Sequence, residues 1–373
     1  MRHITTTPQI DQLIAAGSPV AIGVSGGKDS DAAAFATVDY LDQLGHTGPR
    51  VLIHSDLGRV EWNQSLPQCE RLAARLGLEL LVVRRQAGDM MDRWLSRWAG
   101  NVERYAALEC VKLILPWSTA SMRFCTSELK TAIICRELVK RFPNSVILSV
   151  AGIRREESPN RAKAQPMKQQ NKLTNKTHDT TGYDWLPILD WTLDEVIALH
   201  TERGFPLHEA YTTNSRVSCR FCILGSRDDL RASTTWAENH DLYREMVELE
   251  LDSTFAFQDA GWLADLAPHL LTDAMRARLP QVKAAAARRA ELEARIPSHL
   301  LYEQGWPKVM PTITEARMLA DVRRGVAEAV GIKVDYTDPE TIRARYAELM
   351  TERGHALVEY SGPAVLEQQR FAA

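Results

Sequence analysis

The stretch Val20–Phe35, V-A-I-G-V-S-G-G-K-D-S-D-A-A-A-F, decides the fold. Val20–Val24 is an unbroken apolar run of the length of a buried strand. It enters the turn Ser25-Gly26-Gly27-Lys28-Asp29-Ser30, after which Asp31–Leu44 carries Phe35, Val38 and Leu41 at helical spacing. Strand, Gly-rich turn and helix together make an anion trap. Gly26 and Gly27 place no side chain in the way of a phosphate, successive N–H groups point into the turn, and the helix adds its positive end. Ser25 and Ser30 offer hydroxyl donors and Lys28 a cation, while Asp29 either holds a Mg²⁺ ion or orients the loop by accepting N–H bonds. The spacing is not that of the Walker loop, since GxxxxGK followed by Ser or Thr is absent.

Outward from this loop, strands alternate with helices. Val51–Ile53 ends at His54-Ser55-Asp56, Leu78–Val83 follows a helix at Ser65–Leu76, and Val146–Val150 makes a fourth strand. Strands separated by helices need crossover connections, so the fold expected is α/β with a mainly parallel, doubly wound sheet. Ligands of such sheets bind beyond the carboxyl ends of the strands, where the unusual sequences of this chain lie. Asn160–Gly182 carries Arg161, Lys163, Lys168, Lys172 and Lys176 and few apolar residues, and reads as a mobile surface loop. Thr192, with Glu195 three places on, predicts a capping box opening a helix to Arg203. Beyond Leu230 the strand signals fade, and Gln281–Ile296, Thr314–Val330 and Pro339–Met350 are rich in strong helix formers. The expected organisation is a nucleotide-binding domain over 1–230 and a helical C-terminal region over 231–373.

Composition bounds the class. In 373 residues, 45% are hydrophobic and 25% charged, the balance of a globular chain able to bury a core without disulfides. Lys and Arg number 45 against 48 Asp and Glu, so no global field advertises a nucleic-acid partner, although the basic loop could follow a nucleic-acid backbone. No apolar run suggests a signal peptide or membrane span, and six cysteines are sparse for a disulfide scaffold, so the expected setting is cytoplasmic.

The loop resembles the SGGxDS loop of the ATP pyrophosphatases, the PP-loop family. Further segments are similar to the branch of the phosphoadenosine phosphosulfate (PAPS) reductases: Asp56-Leu57-Gly58 after the second strand, Gly152-Ile153-Arg154-Arg155-Glu156-Glu157-Ser158 with Arg161 after the fourth, and Pro187-Ile188 with Trp191-Thr192. The resemblance covers about residues 18–230 in order. It implies an adenine nucleotide alpha-hydrolase-like fold and an ATP or PAPS ligand with Mg²⁺. Ser25, Gly26, Gly27, Lys28, Asp29, Ser30, Asp56, Gly58, Gly152, Arg154, Arg155 and Arg161 would hold the nucleotide, with Asp29 and Arg154 in catalytic roles. Arginine forks suit phosphate and sulfate oxygens.

Of the six cysteines, Cys69 and Cys135 lie on the apolar stripes of their helices and read as core. Cys219 and Cys222 form a CxxC among Arg216, Arg220 and Arg227, charges that favour thiolates. Cys125, in Phe124-Cys125-Thr126, sits where iron–sulfur relatives in this family carry a tandem cysteine pair, so one thiolate of the usual four is missing. Three arrangements are open: a [4Fe–4S] cluster on Cys125, Cys219 and Cys222 with one iron free; a closed cluster or zinc site completed by Cys110; and a metal-free redox pair. No cysteine follows Cys222, so the C-terminal nucleophile of the sulfonucleotide reductases is absent from its place. The leading expectation is therefore ATP-dependent adenylation with pyrophosphate release and sulfur transfer, with a nucleic acid as one candidate acceptor and a cysteine desulfurase or other sulfur donor as partner. The alternatives are a PAPS or adenylyl-sulfate reductase and a nucleotide-binding regulatory module.

Overall fold

In the computed structural model, which describes residues 3–361, the Val20–Gly23 run forms β1 near the middle of a six-stranded sheet. With β2 (Arg50–Asp56), β3 (Glu79–Arg84), β4 (Val146–Val150), β5 (Met167–Gln169) and β6 (Thr181–Trp185), the strand order is β3-β2-β1-β4-β6-β5. All neighbours pair in parallel except β5, which runs antiparallel to β6. This is the α/β, mainly parallel sheet expected.

Side chains alternate across each strand, so one sheet sorts its residues into two cores. Val20, Ile22 and Val24 face α1 (Pro8–Ala15), α2 (Lys28–Gln43), α3 (Ser65–Leu76) and, further along the sheet, the helix Leu193–Arg203. Ala21, Val51, Ile53 and Ile147 face the helix Ala132–Arg141 through Cys135, Leu138 and Val139. The capping box stands as read: Thr192 accepts the N–H of Glu195 and the Glu195 carboxylate accepts that of Thr192.

The basic segment 160–182 differs from the mobile loop expected. Its Met167–Gln169 pairs with β6, Asn175 bridges Thr180, and Leu173 is fully buried under a hydrogen bond from the Thr180 hydroxyl (2.7 Å) to its carbonyl. Its order comes from backbone pairing and polar side chains, which leave no apolar periodicity to read.

The chain divides into two units. One comprises the residues up to Met91 with Ser118–Leu242 and holds the sheet; the other comprises Asp92–Trp117 with the residues from Tyr243 on. Asp92–Trp117 groups with the second unit because Tyr105, Leu108 and Val111 join its helical core, with Leu319, Val322 and Val326 of the helix Ile313–Val330 and Ile342 and Tyr346 of Pro339–Glu352. Among the described residues, no helix is long and apolar enough to cross a membrane.

Within the second unit, Arg323 is wholly buried, and among the described residues no carboxylate pairs with it. Its guanidinium donates instead to the carbonyls of Tyr105 (2.8 Å), Ala106 (2.9 Å), Asp335 (2.7 Å) and Tyr336 (3.0 Å). Two of these belong to the C-terminal end of the helix Met90–Ala106, whose dipole favours a cation. Replacing Arg323 by Ala leaves the Asp335 and Tyr336 carbonyls unpaired, while those of Tyr105 and Ala106 keep the N–H groups of Leu108 and Asp335. An unmet buried acceptor costs about 1–3 kcal/mol, so Arg323→Ala should lower unfolding free energy by at least ~2 kcal/mol in urea denaturation; a loss below about 1 kcal/mol would contradict this account.

Candidate functional site

The strand order places the crossover reversal between β1 and β4: the chain leaves β1 for β2 on one side and β4 for β6 on the other. The loops after these two strands therefore meet at the sheet's carboxyl edge, the crevice where this class of sheet binds ligands. Gly26 has φ +73°, and a Cβ there would lie 2.9 Å from the Ser65 carbonyl oxygen. Gly27 is the N-cap of α2 and supplies no side-chain cap, so the first-turn amides meet no capping side chain from it. Ser30 folds back, donating to the Gly27 carbonyl (2.8 Å) and accepting the Ser25 N–H (3.2 Å), which makes it a brace of the loop.

The loop after β4 closes on α2. A Cβ on Gly152 would stand 2.3 Å from the Asp29 carbonyl oxygen, so that position admits no side chain without moving the helix start. Arg154, 4% exposed, donates to the Asp29 carboxylate (2.6 Å) and pairs with Glu156. Asp29 also lies 3.3 Å from the Lys28 ammonium. Arg154 is thus held by two carboxylates. Arg155 turns away to Asp190 (2.6 Å) and the Ala162 and Ala164 carbonyls, and Arg161 pairs with Glu157. Asp56 accepts the Gly58 N–H (2.7 Å) and pairs with Arg84, while Gly58, at φ +70°, abuts Asp89. Of the expected nucleotide residues, the structure gathers Ser25–Ser30, Gly152 and Arg154 at one point. It gives Asp56, Arg155 and Arg161 partners of their own.

The cysteines separate as follows. Cys135 packs in the sheet core and Cys110 in the core of the second unit, and burial raises both thiols, Cys110 to about 11 and Cys135 to about 12. Cys125 is half-buried on the short helix Phe124–Thr126, which runs into a π-helical turn over Ser127–Thr131, a form frequent at functional positions. Cys219 and Cys222 are half-buried neighbours. The expectation that arginines favour thiolates there meets a different arrangement. Burial raises the Cys219 thiol, Cys222 adds to the rise, and the cation that opposes it is Lys130. Arg220 instead donates to the Glu238 carbonyl (3.1 Å) and Asn63, and Arg216 to the Leu224 carbonyl (3.4 Å). Among the described residues, no three His, Cys, Asp or Glu side chains are gathered so as to hold a metal ion. Cys125 adds to the rise at Cys219 as Cys222 does, so the three thiols share one neighbourhood.

The phosphoadenosine phosphosulfate reductase domain family matches residues 19–225, more than half of the chain. The chain belongs to this family. Two solved structures similar to it are the Candida glabrata FMN adenylyltransferase in complex with FMN and the ATP analog AMPCPP, and a phosphoadenylyl-sulfate (PAPS) reductase from Candida auris in its phosphate complex. The first has 16% identity over 55% of this chain and 56% of that one, with a TM-score of 0.33, so the chain spans about half of its length. The second has 14% identity over 58% of this chain and 98% of that one, with a TM-score of 0.34. No curated protein matches the chain.

Around the family's loop lie residues that the sequence did not single out. His54 is buried on β2, with Nδ1 3.0 Å from the Val24 carbonyl and Nε2 3.0 Å from the Glu61 carboxylate. Two acceptors require two N–H donors, so the ring is an imidazolium. Burial opposes that charge, and the contacts to Cys69 and Glu61 outweigh it, lifting the ring to about 10. The Cys69 sulfur, 3.7 Å from Nδ1, has the layout of a thiol–imidazole–carboxylate relay, but it is wholly buried and its pKa is raised by burial. It is a packing thiol, as its helical stripe predicts.

Asp31, fully buried in the first turn of α2, accepts from the Gln68 amide (3.1 Å). Burial raises its carboxyl from 3.8 to about 7, against the opposing pull of Gln68, Ser30 and Arg71. Between those values the unfolded chain releases this proton and the folded chain keeps it. Stability therefore falls as pH rises from 4 to 7, by up to about 4 kcal/mol from this group. Asp31→Asn removes the effect: its melting temperature relative to wild type should rise steadily from pH 4.5 to 7.5. A pH-independent difference would refute the assignment.

Proposed function

We propose that the chain binds an adenine nucleotide on the Ser25–Ser30 loop, activates an acceptor by adenylation with release of pyrophosphate, and delivers sulfur to it through Cys219 and Cys222. The observation that carries the reading is the start of α2, which Gly27 leaves without a side-chain cap, set beside Lys28 at the crossover reversal of the sheet. Membership of a family named for a sulfonucleotide reductase supports an adenine nucleotide as the anion. The absence of any cysteine after Cys222 favours adenylation over reduction of a sulfate ester.

In this mechanism an acceptor oxygen attacks the α-phosphorus, the bond to the β-phosphate breaks, and pyrophosphate leaves. The loop amides and Lys28 take up the charge that develops on the leaving group, an electrostatic contribution. Asp29, paired with Arg154, would hold the Mg²⁺ that accompanies the nucleotide. A persulfide formed on Cys219 by a sulfur-donor protein then displaces AMP from the acceptor. Cys222 attacks the Cys219 sulfur, leaving a Cys219–Cys222 disulfide and the thiolated acceptor. A dithiol reductant returns the pair to thiols. The acceptor class that the basic segment favours is a nucleic acid, through Lys163, Lys168 and Lys176.

Calorimetry should detect ATP binding to the wild-type chain, and Gly27→Asp, which places a carboxylate at the first amides, should abolish it. Failure to bind either ATP or PAPS, or unchanged binding by Gly27→Asp, overturns the nucleotide reading. Sulfite released from PAPS would assign the chain as a reductase instead.

Cys219→Ser should abolish transfer of labelled sulfur to the acceptor while ATP affinity stays within about twofold. Retained transfer would dismiss the CxxC from the reaction. Iron and acid-labile sulfide in anaerobically purified wild type, lost in Cys219→Ser, would replace the free-thiol route with a cluster.

A further inference from the structure

The phosphate loop has a neighbour that comes from far along the chain. The Tyr211 hydroxyl accepts the Lys28 backbone N–H (3.2 Å) and lies 3.4 Å from the Lys28 ammonium, which also stands 4.7 Å from the centre of its ring. The same oxygen is 3.6 Å from the position that a Cβ on Gly27 would take. It therefore receives two donors belonging to the anion trap, at the first residue of α2.

Its own proton has no acceptor among the hydrogen bonds of the described residues. Burial raises the Tyr211 phenol above its ordinary range, so the proton is present to be given. The ring does not reach the loop by chance packing. Tyr211 lies on the turn Glu209–Thr212, whose Ala210 N–H is capped by His208 Nδ1 (3.1 Å) and whose Tyr211 N–H is held by the His208 carbonyl (3.0 Å). His208 Nε2 faces the Ser65 hydroxyl (3.3 Å), and Ser65 is the residue whose carbonyl packs under Gly26. Burial lowers His208 to about 4, so the ring is neutral: Nδ1 accepts while Nε2–H donates. One short network thus fixes both the loop and the phenol that covers it.

We infer that Tyr211 is a phosphate-contacting residue of this site. A phosphate oxygen entering the loop takes the Lys28 N–H and the Lys28 ammonium from the phenol oxygen, and the phenol turns its idle proton onto that same phosphate. The inference rests on the nucleotide reading above and adds to it a wall contributed by the segment that leads into Cys219 and Cys222. Because the hydroxyl stands at α2 and the phosphates, its contribution is specific to the anion and indifferent to the nucleoside.

The test is calorimetry of wild type and Tyr211→Phe with ATP, inorganic pyrophosphate and adenosine, alongside thermal melting. Tyr211→Phe keeps the ring and its packing. Expected is a Kd for ATP and for pyrophosphate about tenfold higher, equivalent to ~1.4 kcal/mol. Adenosine binding should stay within about twofold and the melting temperature within a few degrees. Equal ATP affinity in the two proteins overturns the inference, and tighter binding by the variant also overturns it, because the hydroxyl would then be a plug that phosphate must expel. Wild type that binds neither ATP nor pyrophosphate removes the nucleotide reading itself. That failure is distinct because it appears before any substitution is made.

Discussion

The distance that organises this molecule is the 2.3 Å at which a Cβ on residue 152 would meet the Asp29 carbonyl oxygen. Because residue 152 is glycine, the chain leaving β4 passes directly against the first turn of α2. The loops after β1 and β4 then share one crevice. Every feature of the candidate site depends on that approach. Arg154, two residues on, reaches back to Asp29, Asp29 lies beside Lys28, and Lys28 meets Tyr211. A bulkier residue at 152 would push the helix start from the sheet edge and separate these groups together.

The charges around the loop are largely spoken for before any ligand arrives. Arg154 is shared by Asp29 and Glu156, Arg155 is held by Asp190 and two carbonyls, and Asp56 is held by Arg84. An anion would meet the positive end of α2 and Lys28, whose ammonium lies between Asp29 (3.3 Å) and the Tyr211 hydroxyl (3.4 Å). Backbone amides fixed by a braced turn need little reorganisation when charge develops against them, which is the property expected of a site that stabilises a leaving pyrophosphate. Arg154 holds the Asp29 side chain at the start of α2, while Arg155 is engaged by Asp190 and the turn itself is braced by Ser30. Beneath it, the His54 imidazolium joins the end of β1 to Glu61, a charged strut in the sheet core.

The thiols follow a similar logic. Cys69, Cys110 and Cys135 are core residues, and burial suppresses their ionisation. Cys125, Cys219 and Cys222 are half-buried, and Lys130, from the π-helical turn after Cys125, is the cation that acts on Cys219. A thiol of raised pKa is a poor nucleophile at rest, so chemistry at Cys219 calls for a change in its surroundings, such as delivery of sulfur from outside.

By itself the sequence determined the elements that are local. The apolar run Val20–Val24, the Gly-rich turn after it, the helical stripe through Cys69 and the capping box at Thr192 each rest on contacts within a few residues, and each is where it was read. The resemblance to the PP-loop family is what joined the loop with Gly152 and Arg154, and both segments directly follow predicted strands. Only the tertiary structure decided the rest. The 167–185 hairpin is held by pairing between strands with little apolar pattern, Asp92–Trp117 joins a core built mainly from residues beyond 243, and Tyr211 stands against Lys28 across 183 positions of chain. Those contacts join residues distant in sequence through backbone amides and single hydroxyls, groups whose partners no periodicity records.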